Sequence, residues 1–452
     1  MTIRNDNPPS QAIGAEVDRT PKALVLGAGL SALLAVNALT DLDISVTWAE
    51  IGRTDDCLYS PNPEFDKAWF VDDLYRNLSV TRREEAFSWP VIRREGAGFK
   101  TTFENGTSSL YGSVFAAPSL ALSPPPSSLP PGVESVMPEG ISGAPGRCVF
   151  LLDYPDRSPG AVGMAAIGQA IRNRNSGGES YVVLRHAPVF HSFGESLYGR
   201  AKQEGVLFLR FAGQLPLIEK SSSEGASRPA FTVTVRDTAL GGDPVTIECD
   251  RVLAATGPDP KSVPVQAVEI TGDERDPDGF VLSESIHRHS GQSVINGVFA
   301  VGEVTGETDL FGVIRQARSA AVKARAWMMR VEQGDIKESI SVGENCIRCL
   351  TCHRLCPHQA FYVSAGSARS ALGVWGAACR QCGTCISECP RTAVSEPGSW
   401  ENGVEGFLKD LSLIRDLAPT AVYGCARSAG RAVTERPLPE NTAFHGVPCA
   451  GR

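Results

Sequence analysis

Ala23-Leu24-Val25-Leu26-Gly27-Ala28-Gly29-Leu30-Ser31-Ala32 joins a short apolar run to a G-x-G-x-x-A turn and the opening of an apolar-rich segment that reaches Leu39. The apolar run reads as a buried strand, Leu30 to Leu39 as a helix, and Ile44-Ser45-Val46-Thr47-Trp48 as a second strand. Together they form a compact βαβ unit and make this part of the chain an α/β fold. Gly27 permits the tight turn, Gly29 lets the backbone approach a pyrophosphate, and Ala32 lets helix and strand pack closely. The turn through Ala28 leads to a helix N-terminus, whose N–H groups and dipole favour phosphate. Glu50 ends the second strand, where a carboxylate can accept from ribose hydroxyls. A purely structural glycine turn is the rival reading, and the strand before and helix after weigh against it. This stretch does not decide between FAD and NAD.

Working outward, residues 1–21 are polar and proline-bearing and read as a disordered lead without the apolar core of a signal peptide. Residues 118–147 are rich in Pro, Ser and Gly and read as a linker or long surface loop. A second α/β stretch follows, with strands at Val149–Leu152, Tyr181–Leu184 and Val206–Leu209 and helices at Ala161–Arg174 and Leu197–Gln203. Residues 214–249 read as a small antiparallel meander. Arg251–Ala255 and Val298–Val301 return to buried strands, and Phe311–Arg330 is a long helix. Another helix is expected at Glu405–Leu417. The expected domains are 22–147 with 251–335, an insert at 148–250, a module at 336–396 and a tail at 397–452.

Two cysteine quartets mark the module: Cys346, Cys349, Cys352, Cys356-Pro357, and Cys379, Cys382, Cys385, Cys389-Pro390. Each is C-x2-C-x2-C-x3-C-P, the spacing with which bacterial ferredoxins hold two [4Fe–4S] clusters. In that arrangement the fourth cysteine ligates the other cluster. Cys346, Cys349, Cys352 and Cys389 are therefore one expected ligand set, and Cys379, Cys382, Cys385 and Cys356 the second. Zinc also takes C-x2-C pairs, but its four ligands do not explain a third cysteine plus C-P, twice. Arg348, Arg354 and Arg380 flank the ligands; they read first as solvent-facing, with offsetting of cluster charge as the alternative. His353 and His358 read as surface residues. Cys57, Cys148 and Cys249 read as core, with Cys57 also a candidate neighbour of a flavin.

The 452 residues allow two or three domains, and 42% hydrophobic content is ample for their cores. A net charge of −8 argues against a nucleic-acid binder. Eight of the 13 cysteines sit in the quartets, so disulfides are not the organising principle and a reducing, cytoplasmic setting is expected. No apolar run reaches the roughly 18 residues of a membrane span, so any membrane link is expected to come through a partner.

Gly297-Val298-Phe299-Ala300-Val301-Gly302-Glu303 resembles the C-terminal FAD motif of two-dinucleotide-binding-domain flavoproteins, with Glu303 where that family has Asp. Ala254-Ala255-Thr256-Gly257 resembles their A-T-G crossing between domains. The resemblance implies FAD, with Thr256, Gly257, Gly302, Glu303 and Gly312 joining the first glycine turn as cofactor residues. The extra methylene of Glu303 is expected to shift its contact with the ribityl chain. The insert lies where such proteins carry NAD(P)H, but Asp156-Arg157-Ser158-Pro159-Gly160-Ala161-Val162-Gly163 has no G-x-G turn. Nicotinamide binding is therefore not expected.

Flavoprotein, insert and two-cluster module in this order resemble the flavin-bearing, A-type subunit of heterodisulfide reductase over nearly the whole chain. Glu195-Ser196-Leu197-Tyr198, Glu204-Gly205-Val206-Leu207-Phe208 and the Gly302–Ala317 stretch carry the likeness. The insert lacks that subunit's extra cysteines at Leu151-Leu152-Asp153-Tyr154-Pro155, which brings it nearer the flavoproteins of quinone-interacting membrane-bound oxidoreductase. Ala421–Ala429, with Cys425, and Val447–Arg452, with Cys449, resemble the start of the delta subunit of methyl-viologen-reducing hydrogenase. The sequence stops where that domain would begin to fold, which reads as a fragment or a vestigial domain, and two cysteines do not complete a further cluster.

The expected architecture is an FAD-binding Rossmann-like domain with an inserted second α/β domain, plus an α+β two-cluster ferredoxin-like domain. The expected role is electron transfer within an oxidoreductase complex, with heterodisulfide-reductase-like, hydrogenase-like or quinone-linked subunits as partners. The alternatives are a self-sufficient NAD(P)H:ferredoxin-type oxidoreductase and a docking protein without flavin. No acid–base catalytic constellation emerges.

Overall fold

The computed structural model describes residues 22–395 apart from 61, 63–64, 79–81, 86–87, 96, 142, 190–192, 222–229, 273–274, 283–290, 334–339, 364–371, 375–377 and 380–381, and beyond them 420–425 and 442–447. The first unit grows from the glycine turn. β1 (Lys22–Leu26) leads into α1 (Leu30–Thr40), and β2 (Ser45–Glu50) returns parallel to β1, pairing Lys22 with Ser45 through Leu26 with Ala49. α2 (Lys67–Arg76) and β3 (Arg82–Glu85) follow. An antiparallel meander of β4 (Val91–Glu95), β5 (Gly98–Thr102) and β6 (Ser108–Tyr111) precedes β7 (Ser113–Ala116).

The chain then builds the insert. Its elements are β8 (Glu134–Ser135), β9 (Arg147–Leu151), α3 (Gly160–Asn175), β10 (Glu179–Leu184), α4 (Gly194–Gln203) and β11 (Leu207–Arg210). After them come β12 (Leu217–Lys220), β13 (Phe231–Arg236), β14 (Pro244–Cys249) and β15 (Arg251–Ala254). α5 (Val265–Thr271), β16 (Val298–Ala300) and α6 (Leu310–Glu332) complete the first unit.

The first sheet runs β16-β7-β1-β2-β3, with its neighbouring strands parallel. Such a sheet must be covered on both faces, and the alternation in β1 shows how. Ala23 and Val25 face a core shared with α1 and α6, while Leu24 and Leu26 face one shared with the meander and α5. Ala317, Ala320, Ala321 and Ala324 of α6 lie in the α1 core fully or almost fully buried, and such small side chains permit close helix approach. The insert repeats the plan with order β11-β10-β9-β15-β8, again parallel. Phe150 and Leu152 face α3 and α4, whereas Val149 and Leu151 face the antiparallel trio β12-β13-β14.

That trio is the expected meander. The insert's expected limits, 148 and 250, need correction. Glu134–Ser135 and Arg251–Ala254 are strands of the insert's own sheet, so the chain crosses before Glu134 and after Ala254. β9 is an interior strand and needs a partner on the side away from β10, which β15 supplies. Thr256 and Gly257 serve this crossing: the Thr256 hydroxyl donates to the Ser123 carbonyl at 2.8 Å, and the Ser123 N–H donates to the Gly257 carbonyl at 2.8 Å.

The module holds β17 (Ser341–Val342), α7 (Thr351–Leu355), β18 (Phe361–Val363), β19 (Leu372–Val374), α8 (Thr384–Ser387) and β20 (Val394–Ser395). β17 pairs with β20 and β18 with β19, both antiparallel. His358, expected at the surface, is half-buried where the module meets the first unit, with Nδ1 2.6 Å from the Val294 carbonyl. In the tail, β21 (Thr420–Cys425) and β22 (Thr442–Val447) pair in parallel. Residues 1–21, Arg380, the helix expected at 405–417 and Cys449 lie outside the described residues. Among the described residues no helix is long and apolar enough to cross a membrane.

Candidate functional site

The glycine turn builds a cradle that side chains would fill. Gly27 has φ +134°, and a Cβ there would stand 2.3 Å from the Ala117 carbonyl oxygen. Gly29 has φ +80° and is the N-cap of α1; its Cβ would lie 2.3 Å from Ser119 Oγ. α1 has no side-chain cap and no acidic residue in its first turn, leaving its positive end for a ligand. Ala28 anchors the turn by accepting the Ser119 hydroxyl at 3.1 Å, and Ala32 is wholly buried in the helix–sheet core. Glu50 stands at the end of β2 as expected, but Arg83 of β3 pairs with it at 2.6 Å and lies over the Trp48 ring. Nothing in the local sequence signals this partner, which arrives from 33 residues away.

Opposite the turn, the chain after β16 brings in Gly302 and Glu303. Gly302 has φ +83°, and its Cβ would meet Ser31 Oγ at 2.0 Å, so this loop packs directly on the first turn of α1. Gln316 fixes it, accepting the Gly302 N–H at 2.7 Å and donating to the Thr305 hydroxyl at 3.0 Å. Gly312 lies in the first turns of α6, where a Cβ would meet the Glu307 carboxylate at 2.7 Å. Glu303 is completely buried, and its Oε2 accepts the Leu120 N–H at 2.6 Å. Among the described residues, neither Glu303 Oε1 nor Ser31 Oγ closes a well-formed hydrogen bond. Buried orphan polar atoms are costly unless a ligand satisfies them. A glycine cradle, an open helix end and two orphaned oxygens fit the phosphate and polyol parts of a flavin dinucleotide.

Burial pushes the Glu303 carboxyl up to about 8, against the pull of the Leu120 and Cys57 N–H groups. Between its ordinary 4.5 and about 8 the folded chain holds a proton that the unfolded chain has lost. Stability without flavin should therefore fall as pH rises through that window and level off above it, by on the order of a few kcal/mol. Glu303→Gln should flatten this slope in pH-dependent denaturant melts of flavin-stripped protein; an unchanged slope would place the titrating group elsewhere. Cys57 lies beside Glu303, its thiol pushed up to about 12 by burial and then by the Glu303 charge. It donates to the Leu120 carbonyl at 3.4 Å. Cys148 and Cys249 are buried core residues.

In the module the two quartets interleave. Cys346, Cys349, Cys352 and Cys389 line one small cavity. Burial, and then the charges of Cys356, Cys379 and Cys382, push the Cys385 thiol up, so these three lie in its neighbourhood. Among the described residues no group of three or more His, Cys, Asp or Glu side chains is drawn close enough to hold a metal ion, so the two crossed sets remain the expectation of the spacing. Equivalent residues support each. Thr351 Oγ1 lies 3.3 Å from Cys349 Sγ, and Thr384 Oγ1 lies 3.5 Å from Cys382 Sγ. Ala360 N–H donates to Cys356 Sγ at 3.4 Å, and Ala393 N–H to Cys389 Sγ at 3.2 Å. Residues after the middle cysteines take positive φ in both halves, Leu350 at +58° and Gly383 at +79°. Two all-sulfur sets of four fit soft iron–sulfur ligation. Arg354 donates to the Cys349 carbonyl at 2.8 Å, and so braces the loop.

The insert's first loop has no dinucleotide cradle. Its place is taken by buried Asp153, whose carboxylate accepts the Ser158, Arg185 and His186 N–H groups at 3.1, 3.2 and 2.8 Å.

No family model matches the sequence. The chain is similar to the first of two A-type iron-sulfur subunits of CoB–CoM heterodisulfide reductase from Methanopyrus kandleri, 29% identical over 198 residues, 42% of this chain and 28% of that protein. It is similar to the corresponding A-type iron-sulfur subunit of Methanocaldococcus jannaschii, 26% identical over 197 residues, 42% of this chain and 28% of that protein. A third relative is the A-type subunit of the H2:CoB–CoM heterodisulfide, ferredoxin reductase of Methanothermobacter marburgensis, 28% identical over 179 residues, 38% of this chain and 26% of that protein. Among solved structures, thioredoxin reductase of Lactococcus lactis superposes with a TM-score of 0.47 at 15% identity, covering 69% of this chain and 99% of its own. LpdA of Mycobacterium tuberculosis gives 0.43 at 16% identity, covering 68% and 72%. The matches to the heterodisulfide reductase relatives thus span between a quarter and three-tenths of those proteins' length.

Proposed function

We propose that this chain is an FAD and iron–sulfur electron-transfer subunit of a heterodisulfide-reductase-like oxidoreductase complex, working in the cytoplasm with partner redox subunits. The gathering of Cys389 with Cys346, Cys349 and Cys352 around one small cavity, on a body that carries a glycine turn, is the observation that supports it most. Bound in the cleft, FAD would supply interconversion of two-electron and one-electron transfer, and two [4Fe–4S] clusters would carry single electrons.

The chain's own groups have separate tasks in this reading. Gly27, Ala28 and Gly29 let the pyrophosphate reach the α1 N-terminus, and Ser31 donates to it. Glu303 holds the ribityl hydroxyls through the oxygen left orphaned, and Glu50 with Arg83 borders the ribose end. Cys57, Tyr59 and Leu120 wall the pocket against water. Asp153 fills the insert's first loop with negative charge already satisfied by backbone N–H groups, which disfavours a pyrophosphate there and so a nicotinamide donor on this chain.

Anaerobic purification followed by iron and flavin analysis should give about eight irons and one flavin per chain. The flavin should bleach with dithionite and stay oxidised with NADH or NADPH. Rapid bleaching by either nucleotide would instead favour a self-sufficient NAD(P)H:ferredoxin-type oxidoreductase, and a well-folded flavin-free chain would favour a docking role.

A further inference from the structure

Trp48, Arg83 and Glu50 form a chain of contacts that starts at the glycine turn and ends at a carboxylate. Trp48 is buried in β2, and its Nε1–H donates to the Gly27 carbonyl at 2.9 Å, so the first glycine of the turn holds the indole. The Tyr75 ring of α2 stacks near it, with ring centres 6.5 Å apart. Arg83 stands opposite Trp48 in the β2–β3 register and lays its guanidinium over the indole at 5.1 Å. The same guanidinium reaches the carboxylate two residues along β2, with Nε 2.6 Å from Glu50 Oε1. Trp48 and Glu50 share a face because side chains alternate along a strand. The indole thus sets the guanidinium, and the guanidinium sets the carboxylate.

This carboxylate still lacks a donor. The Glu50 side chain is only 17% exposed. Among the described residues its Oε1 closes no well-formed hydrogen bond, despite the ion pair. Arg83 therefore supplies charge there but not an aligned donor. A shielded carboxylate oxygen in this condition is costly, and hydroxyl groups are the donors that would satisfy it. Glu50 also stands beside the glycine turn, whose Gly27 N–H donates to the preceding Ala49 carbonyl at 3.1 Å. A bare carboxylate so close to a bound pyrophosphate would repel it, and the guanidinium offsets that charge.

Taking the cleft as the FAD site proposed above, we infer that Arg83, seated on Trp48, is a positioning residue that makes the cleft select FAD over FMN. It acts through Glu50, offsetting the charge that would repel the pyrophosphate and aiming the carboxylate at the hydroxyls of the adenosine ribose. FMN has the ring, the ribityl chain and one phosphate, and so meets Glu303 and the glycine turn without engaging Glu50.

Fluorescence titration of the full chain, stripped of flavin and kept anaerobic, with FAD and separately with FMN tests this. Arg83→Ala should weaken FAD binding about tenfold and leave FMN binding unchanged, with the iron content as in the native chain. Glu50→Gln should also weaken FAD binding about tenfold. The Glu50→Gln/Arg83→Ala pair should then bind FAD as Glu50→Gln does, because residues that act as a unit are not additive. Arg83→Lys keeps the charge without the flat fork and should fall between the native chain and Arg83→Ala. It keeps the test open should alanine disturb the packing on Trp48. Equal weakening of FAD and FMN would leave Arg83 a support of the fold alone and overturn the inference, as would unchanged FAD binding in Arg83→Ala or additive losses in the pair. A native chain that binds neither flavin would remove the FAD reading and this role with it.

Discussion

Replacing Cys346 and Cys389 together by alanine should leave about four irons per chain, whereas replacing Cys346 and Cys356 together should remove nearly all of them. The first pair belongs to one crossed set, since Cys346 and Cys389 line the same cavity. In the expected crossed arrangement the second pair takes one ligand from each set, Cys356 going with Cys379, Cys382 and Cys385. If each quartet held its own cluster, the outcomes would exchange. Iron analysis with electron paramagnetic resonance of the reduced proteins reads the difference. The halves are joined by the short pairings β17–β20 and β18–β19, so much of the module's order should depend on its clusters. Cys346→Ala/Cys356→Ala is therefore also expected to become protease-sensitive across 340–395. Its flavin should remain, since the cleft draws its residues from Gly27 to Gln316.

Gly29→Val should empty the flavin site and leave the iron count at about eight. The φ of +80° is one that a β-branched residue adopts only with strain, and the new Cβ would stand 2.3 Å from Ser119 Oγ and 3.0 Å from the Thr54 carbonyl. Ser119 would have to leave Ala28, which it holds at 3.1 Å, and the turn would lose its shape. The added side chain also occupies the space through which a pyrophosphate reaches the α1 N–H groups. Backbone strain alone is worth about 1–2 kcal/mol, which a core of this extent tolerates, so the protein should fold. The flavin-to-protein ratio should drop at least tenfold. A ratio near one would mean that the cofactor does not use this turn.

The parts of the fold that are legible in the sequence are those where a residue type is forced by local geometry. Gly27, Gly29 and Gly302 each take a positive φ with no room for a Cβ, and such positions announce themselves. The quartets are legible because spacing fixes which thiols share a loop, and Cys389 lines a cavity with the first three cysteines of the other quartet. What escapes depends on contacts between distant segments. Nothing local in Arg83 says that it will pair with Glu50, and nothing in Gln316 says that it will hold the Gly302 N–H. Ser31 differs from other helix serines only because Gly302 comes to rest on it. The insert limits escape because β8 is two residues long and β15 follows β14 after one residue. Strand membership there is decided by pairing with β9, not by composition. His358 reads as exposed in the sequence because its burial comes from Val294, in another unit.

Glu303, a carboxylate with one oxygen satisfied and one orphaned, in a pocket that pushes its protonation up to about 8, is poorly placed unless hydroxyl donors arrive. Its Oε2 is already held by the Leu120 N–H at 2.6 Å, which leaves Oε1 for such donors.

The most direct measurement follows the flavin absorbance by anaerobic stopped flow after mixing with reduced ferredoxin, in the native chain and in Cys346→Ala/Cys356→Ala. A wire from cubanes to flavin requires fast bleaching in the native chain and bleaching at least a hundredfold slower in the variant, with the flavin content of both equal. Equal rates in the two proteins would show that electrons reach the flavin without the cysteine module and would contradict the account.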